Sequence, residues 1–241
     1  MISYAKNNED VLLQRAFASI DTGYYIDVGG YLPQLDSNTY ALYRKGWSGL
    51  IIEPLLYIDG GISPRLWEGL RPRDQLIPGL AGKEVGLHPF WTCSAAQMST
   101  GSETMVRLWG ESAKIGEPIE VPMYSLNYLL DAVEYKGNIH LLSVDVEGME
   151  NEVFAGFNLR KYRPWVVLVE CAKPGTREPW IGDWHFALAT AEYREVYRDG
   201  ANAWYLANEH RSLRALLRYP PGAFDNWITA RQAELEKRVA Q

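Results

Sequence analysis

The sequence predicts an α/β fold: a mostly parallel sheet, helices on both faces, and an antiparallel hairpin near the C-terminal end. Three observations carry this. Short buried-strand runs recur as YYIDV (24–28), WSGLIIEP (47–54), IHLLSVDVEG (139–148) and PWVVLVE (164–170). A helical segment lies between the first two, and strand–helix–strand at this spacing demands a parallel pair. Finally, REVYR-DGA-NAWYLA (194–207) reads as two strands around an Asp-Gly turn. A chain of 241 residues can build one such domain, residues 1–241, without requiring a second.

Taken in order, EDVLLQRAFASI places Val11, Leu12, Leu13, Ala16, Phe17 and Ile20 on one helical stripe, within an N-terminal helical segment 1–22. In LDSNTYALYRKG, Asp36 or Ser37 caps a helix, Tyr40 and Tyr43 share a face, and Gly46 stops it. Residues 54–75 form a Gly/Pro-punctuated connection. QLIPGLAG and EVGLHPFW follow as strands broken by turns. Residues 93–118, rich in Ser, Thr and Gly, read as a mobile lid or an insertion. SLNYLLDAVEYKG, MENEVFAG (ended by Gly156) and GDWHFALATAEY are helices. A C-terminal helical extension covers 208–241, with Phe224, Trp227, Ile228 and Leu235 on the apolar side of an amphipathic helix.

Composition narrows the class. Hydrophobic residues at 47% and charged residues at 22% are ordinary for a soluble globular protein. No apolar run approaches the roughly 20 residues of a membrane span. MISYAKNNED has no charged-then-apolar leader, so a cytoplasmic location is expected. With a net charge of −6 and scattered Lys and Arg, nothing points to nucleic acid. Cys93 and Cys171 stand outside any CxxC pattern and read as free thiols. The Trp-bearing tail packs either on its own core or on a partner subunit, which leaves a homodimer open.

The turn after the first strand is the most informative stretch. A dinucleotide fingerprint needs G-x-G-x-x-G opening into a helix, whereas here Gly29 and Gly30 are adjacent and Pro33 follows. A pyrophosphate would miss its usual helix N-terminus. A nucleoside-bearing ligand without phosphates fits better. Asp27 and Glu53 close adjacent parallel strands at the carboxyl edge, where open α/β sheets bind ligands. Glu53 suits two ribose hydroxyls, and Asp27 suits an ammonium, directly or through water. The bland alternatives are a turn cap for Asp27 and a solvated strand end for Glu53.

SYAKNNEDVLL, YYIDVGGYLPQLDSNTYALYRKGWSGLIIEP, RPRD, LLSVDVEGMENEVFAGFNLRKYRPWVVLVE and YRDGANAWYL together resemble the FkbM family of S-adenosylmethionine-dependent methyltransferases. The likeness runs in order across nearly the whole chain. It implies a Class I methyltransferase (Rossmann-like) fold, a mostly parallel seven-stranded sheet in which the terminal hairpin also belongs, and S-adenosyl-L-methionine as cofactor. It further implies O-methylation of a hydroxyl on a sugar, glycan or glycosylated natural product. Three departures stand out: Gly30 replaces the family's usual alanine, Pro33 a later glycine, and Trp184-His185 a common Trp-Glu.

Methyl transfer to a hydroxyl needs the acceptor oxygen roughly 3 Å from the methyl carbon and a group to take its proton. Asp145, Glu147, Glu170 and His185 are the candidate catalytic residues. Asp145 positions or deprotonates the acceptor, Glu147 or Glu170 assists, and His185 is the rival base. The same groups are compatible with a divalent metal such as Mg²⁺, with no fixed metal motif to demand one. Structural alternatives are a helix-dipole role for Glu147 and Glu150, pairing of Glu170 with Arg163 or Arg177, and a packing role for His185. Candidate cofactor contacts are Glu9, Asp27, Gly29, Gly30, Tyr31, Glu53, Ser99 and Asp145, with Thr100 beside Ser99. For Glu9 and Asp10, support of the helix N-terminus is an equal alternative. Arg71 and Arg73 are in reach of an acceptor or lie in a solvated loop. Asp199 and Gly200 make the hairpin turn and Asn202 caps it, while His88, His140 and His210 receive no role. A non-catalytic cofactor- or glycan-binding module is the alternative function. A nicotinamide-dependent reductase fails on the glycine pattern and the hairpin.

Overall fold

The strand-forming runs assemble into a mixed α/β architecture in the structure, a computed structural model that describes residues 1–110, 114–173, 176 and 178–239. In chain order the elements are β1 (Ile2–Ser3), α1 (Glu9–Ala16), β2 (Tyr24–Val28), α2 (Tyr40–Arg44), β3 (Ser48–Glu53), α3 (Pro64–Leu70), β4 (Gln75–Pro78), β5 (Leu80–Ala81) and β6 (Gly86–Phe90). There follow α4 (Glu103–Trp109), β7 (Ile119–Tyr124), α5 (Leu126–Ala132), β8 (Leu141–Val144), α6 (Glu150–Ala155), β9 (Val166–Glu170) and α7 (Trp184–Thr190). The chain continues through β10 (Tyr193–Arg198), β11 (Asn202–Ala207), α8 (Arg214–Leu217), β12 (Ile228–Thr229) and α9 (Ala230–Val239).

The main sheet has seven strands in the order β10-β11-β9-β8-β2-β3-β4. β2 lies parallel between β3 and β8, and β4 and β9 extend the parallel run on either side. β11 pairs antiparallel with β9, and β10 with β11. Side-chain alternation divides the central strands cleanly. Ile26, Val28, Leu142, Val144, Val167 and Val169 pack on one face with Leu130, Phe154 and Leu188 of the helices after β7, β8 and β9. Tyr25, Ile51, Leu141, Val166 and Leu168 pack on the other with Leu12, Phe17, Leu42, Trp67 and Leu217. Strands covered on both faces read as near-continuous apolar runs, which is why they were legible. A small sheet, β5-β7-β6, stands beside the main one, and β1 pairs with β12.

Several expected elements differ. α2 begins only at Tyr40, because Asp36 sits in the left-handed region (φ 55) and Ser37 Oγ accepts the Tyr40 N–H at 3.1 Å. Ser37 therefore holds the first turn. The connection 54–75 contains α3, and β7 was not expected at all. The 93–118 segment holds a 3₁₀ turn at Ala96–Met98 and α4, with residues 111–113 outside those described. In the tail, Phe224 is fully exposed, Ile228 lies in β12, and α9 buries no residue, so the expected common apolar side does not form. Among the described residues no helix is long and apolar enough to cross a membrane.

Candidate active site

The carboxyl ends of β2, β3, β8 and β9 face a hollow of about 290 Å³. Its floor depends on Gly29. This residue has φ 83, and a Cβ there would stand 1.7 Å from the Asp145 carbonyl oxygen. Only glycine lets the turn after β2 pass so close to the end of β8. The ladders continue one residue past the strands: Gly29 N–H donates to Ile52 O at 2.9 Å, and Asp145 N–H donates to Val28 O at 3.0 Å. Gly30 is buried and off the wall. An added Cβ would meet Ile51 Cγ2 at 2.7 Å, so the alanine common in the resembling family would press on the core here.

Glu53 fixes the next piece of the wall. Its Oε2 accepts the Tyr31 N–H at 2.8 Å and its Oε1 accepts the Leu55 N–H at 2.8 Å. These contacts hold Tyr31 at φ 44, and Trp67 Nε1 donates to the Tyr31 carbonyl at 3.2 Å. Each carboxylate oxygen has two acceptor sites, so each keeps one for a ligand. Burial pushes the Glu53 carboxyl up to about 7, against the pull of the two N–H donors.

Asp27 is placed differently from expectation. It lies beneath the hollow and off its wall, with Oδ2 accepting from Thr39 Oγ1 at 2.6 Å. Thr39 in turn accepts from Arg71 Nη2 at 2.9 Å. Arg71, 1% exposed, also donates to Asp74 Oδ2 at 2.6 Å, to Tyr25 OH at 2.8 Å and to the Pro33 carbonyl at 3.2 Å. Arg71 is thus a buried brace for the loop after β2 and cannot reach an acceptor in the hollow. Arg73 donates to the carbonyls of Trp47 and Tyr43 and stacks on the Tyr43 ring, also away from it.

The opposite wall is an acidic trio. Asp145, Glu147 and Glu170 each bring a carboxylate oxygen within 4.8 Å of the others. Asp145 lies one residue beyond β8, its side chain open to the hollow while protein surrounds it on the remaining sides. Strand alternation does not bring Glu147 there; a left-handed residue (φ 50) does. Thr100 Oγ1 donates to the Glu147 carbonyl at 2.7 Å and sets that loop, which is its role in place of a ligand contact. Burial, then the charges of Asp145 and Glu147, push the Glu170 carboxyl up strongly. Burial also raises Asp145, against the pull of the neighbouring Glu170 carboxyl and of the nearby Lys6 ammonium. Glu147 is pushed up to about 8 by burial and then by the charges of Asp145 and Glu150. Glu150, behind the trio, accepts the Gly148 N–H at 3.1 Å and is raised to about 7, chiefly by burial.

The segment between β1 and α1 completes the rim. Glu9 accepts the Asn7 N–H at 2.8 Å, Asn7 Nδ2 at 3.0 Å and Asn202 Nδ2 at 2.8 Å, tying the segment to the start of β11. Asp10 accepts Ser3 Oγ at 2.6 Å and the Tyr4 N–H at 2.7 Å. Both acids hold the preceding segment through direct contacts. Lys6 reaches the wall from there and was not anticipated; nothing in MISYAKNNED marks it apart from its neighbours. Ser99 lines the hollow and its Oγ accepts the Cys93 N–H at 3.1 Å.

His185 does not belong to this group. Its Nδ1 pairs with Tyr205 OH at 2.6 Å, its ring packs on Trp184, and it is absent from the wall. Arg163 pairs with Glu209 at 2.7 Å rather than with Glu170, and Arg177 lies outside the described residues. His88 bonds the Gly101 carbonyl, His140 accepts the Tyr24 N–H, and His210 stacks on Trp165. Asp199 Oδ1 accepts the N–H groups of Ala201 and Asn202, which makes the turn between β10 and β11.

Three carboxylates in one hollow supply the hard oxygen donors a divalent cation takes, and an ionised carboxylate among them can accept a proton from a hydroxyl. A family model described as "Methyltransferase FkbM domain" matches residues 27–218 of the 241. The comparisons with curated proteins and with solved structures each return no match.

Proposed function

The chain belongs to the FkbM methyltransferase family, and we propose that it transfers a methyl group from S-adenosylmethionine to a hydroxyl of a sugar, glycan or glycosylated natural product. In this reading the whole chain is one Class I methyltransferase domain. The observation that carries the proposal is the meeting, in one hollow, of Glu53 beside a phosphate-unfriendly turn and the Asp145–Glu170 pair. The wall fits the cofactor's chemistry: carboxylates suit a cationic amino acid and ribose hydroxyls, and Gly29 lets backbone approach closely.

S-adenosylmethionine, when bound, supplies a methyl carbon on a sulfonium, open to in-line attack. Glu53 accepts the ribose hydroxyls with the acceptor sites left over from Tyr31 and Leu55. Asp27 acts from below by holding, with Thr39 and Arg71, the loop that carries Tyr31. Asp145 takes the acceptor's proton on a carboxylate oxygen, and Glu170 orients that carboxylate by donating to it. Ser99 and Glu9 close the sides. If a Mg²⁺ joins, Asp145, Glu147 and Glu170 are the residues that would hold it, and it would lower the acceptor hydroxyl's pKa.

The test is release of S-adenosylhomocysteine from S-adenosylmethionine across a panel of hydroxylated sugars, with calorimetry of cofactor binding alongside. Acceptor-dependent release supports the proposal. Failure to bind the cofactor at millimolar concentration overturns it, and binding without release on any acceptor favours a non-catalytic module.

A further inference from the structure

A second hollow of opposite charge lies at the other end of the sheet. β11 starts at the carboxyl edge, with Asn202 opposite Glu170, and finishes at the amino edge, with Leu206 opposite Val166. There Arg194, Arg211 and Arg214, with one acid, Glu195, and with Val196, Leu206, Ala207 and Asn208, surround a space of about 350 Å³ that shares no residue with the acidic hollow. Arg194 comes from β10, and Arg211 and Arg214 sit three residues apart where a 3₁₀ segment runs into α8.

Among the described residues no hydrogen bond, ion pair or ring contact engages the side chains of these arginines. The nearby acids are committed elsewhere: Glu195 to Arg198 at 2.7 Å, with Tyr205 OH at 3.2 Å, and Glu209 to Arg163 at 2.7 Å. All three arginines are solvent-exposed, yet around a concave wall their fields add, and an anion seated between them relieves their mutual repulsion. The chain as a whole carries −6, so a local excess of positive charge runs against its composition. Guanidinium groups, with their planar fork of donors, match pairs of phosphate oxygens better than ammonium groups do. The arginines arise from a strand and a helix start, which hold a fixed spacing.

We infer that this hollow binds a diphosphate-bearing ligand through Arg194, Arg211 and Arg214. Three forked donors around a space of this size suit two linked phosphoryl groups. The diphosphate is either free or part of a nucleotide. The site is separate from methyl transfer, and its test does not depend on that reading.

The experiment is calorimetric titration of the intact chain with inorganic pyrophosphate, ADP and adenosine at low ionic strength. Pyrophosphate should bind saturably, and added salt should weaken it. R194A and the double variant R211A/R214A should each lose about tenfold or more in affinity, with unchanged thermal melting. R231A, at an exposed arginine outside the hollow, should bind as the wild type does. ADP equal to pyrophosphate with adenosine silent identifies the diphosphate alone as the recognised group; ADP clearly tighter identifies a nucleotide. Absence of saturable pyrophosphate binding, retained affinity in both arginine variants, or equal loss in R231A would overturn the inference.

Discussion

The two hollows at opposite ends of the sheet are built in opposite ways. At the carboxyl edge the charged groups are carboxylates, and two are held by the chain itself: Glu53 by two backbone N–H groups and Glu9 by Asn7 and Asn202. At the amino edge the charged groups are arginines that nothing in the described residues holds. The first arrangement fixes positions before a ligand arrives, which is what chemistry on a single atom needs. The second fixes the backbone spacing of its arginines and leaves their side chains free to close on an anion. Arg71 sharpens the point, because the same side chain type, when buried, serves as a brace.

The contrast can be broken at its strongest point first. Asp145→Asn removes the group assigned to take the acceptor proton, and turnover should fall about 10²–10⁴-fold while cofactor affinity stays near wild type. Turnover close to wild type in that variant would move the base elsewhere. Next in size is the brace. Arg71→Met leaves Asp27 and Asp74 without their guanidinium partner, and urea unfolding should show a loss of about 3–5 kcal/mol. Arg194→Ala at the surface should change stability by less than about 0.5 kcal/mol. Equal stabilities for the two variants would erase the distinction between a brace and a free charge.

A smaller effect concerns pH. Glu53 titrates near about 7 when folded, above its ordinary carboxylate value, because burial disfavours its charge. The unfolded group therefore loses its proton first as pH rises. Its contribution to stability is full below the unfolded value and is lost as pH climbs through about 7. Cofactor binding runs the other way, since the ionised form accepts ribose hydroxyls best. Affinity should rise about tenfold between roughly pH 6 and pH 8, and Glu53→Gln should flatten that profile. A Gln variant with the wild-type slope would exclude Glu53 as its source.

Much of this was legible in the sequence. β2, β3, β8 and β9 are covered on both faces, so their apolar runs are unbroken, and the acids that end them fall on one edge by topology alone. The Gly29-Gly30 pair was legible as a departure from the dinucleotide fingerprint, though not that the Asp145 carbonyl lies against Gly29. What escaped depended on partners distant in the chain. α3 was hidden by Pro64 and Gly69 in a stretch that reads as turns, despite Ser63 before Pro64. β7 carries Pro122 and half-exposed positions, which weaken its alternation. Arg71 looks like a loop arginine until Tyr25, Thr39 and Asp74 converge on it. His185 carries the right chemistry for a base, yet α7 turns it toward Tyr205. Lys6 is an ordinary lysine that only the fold brings to the carboxylates.

The most direct measurement is a crystal structure of the chain soaked with S-adenosylhomocysteine. The account predicts the nucleoside in the carboxyl-edge hollow, both ribose hydroxyls on Glu53, and the sulfur on the side facing Asp145 and Glu170. A nucleoside bound anywhere else, or one seated there with its ribose turned away from Glu53, would contradict it.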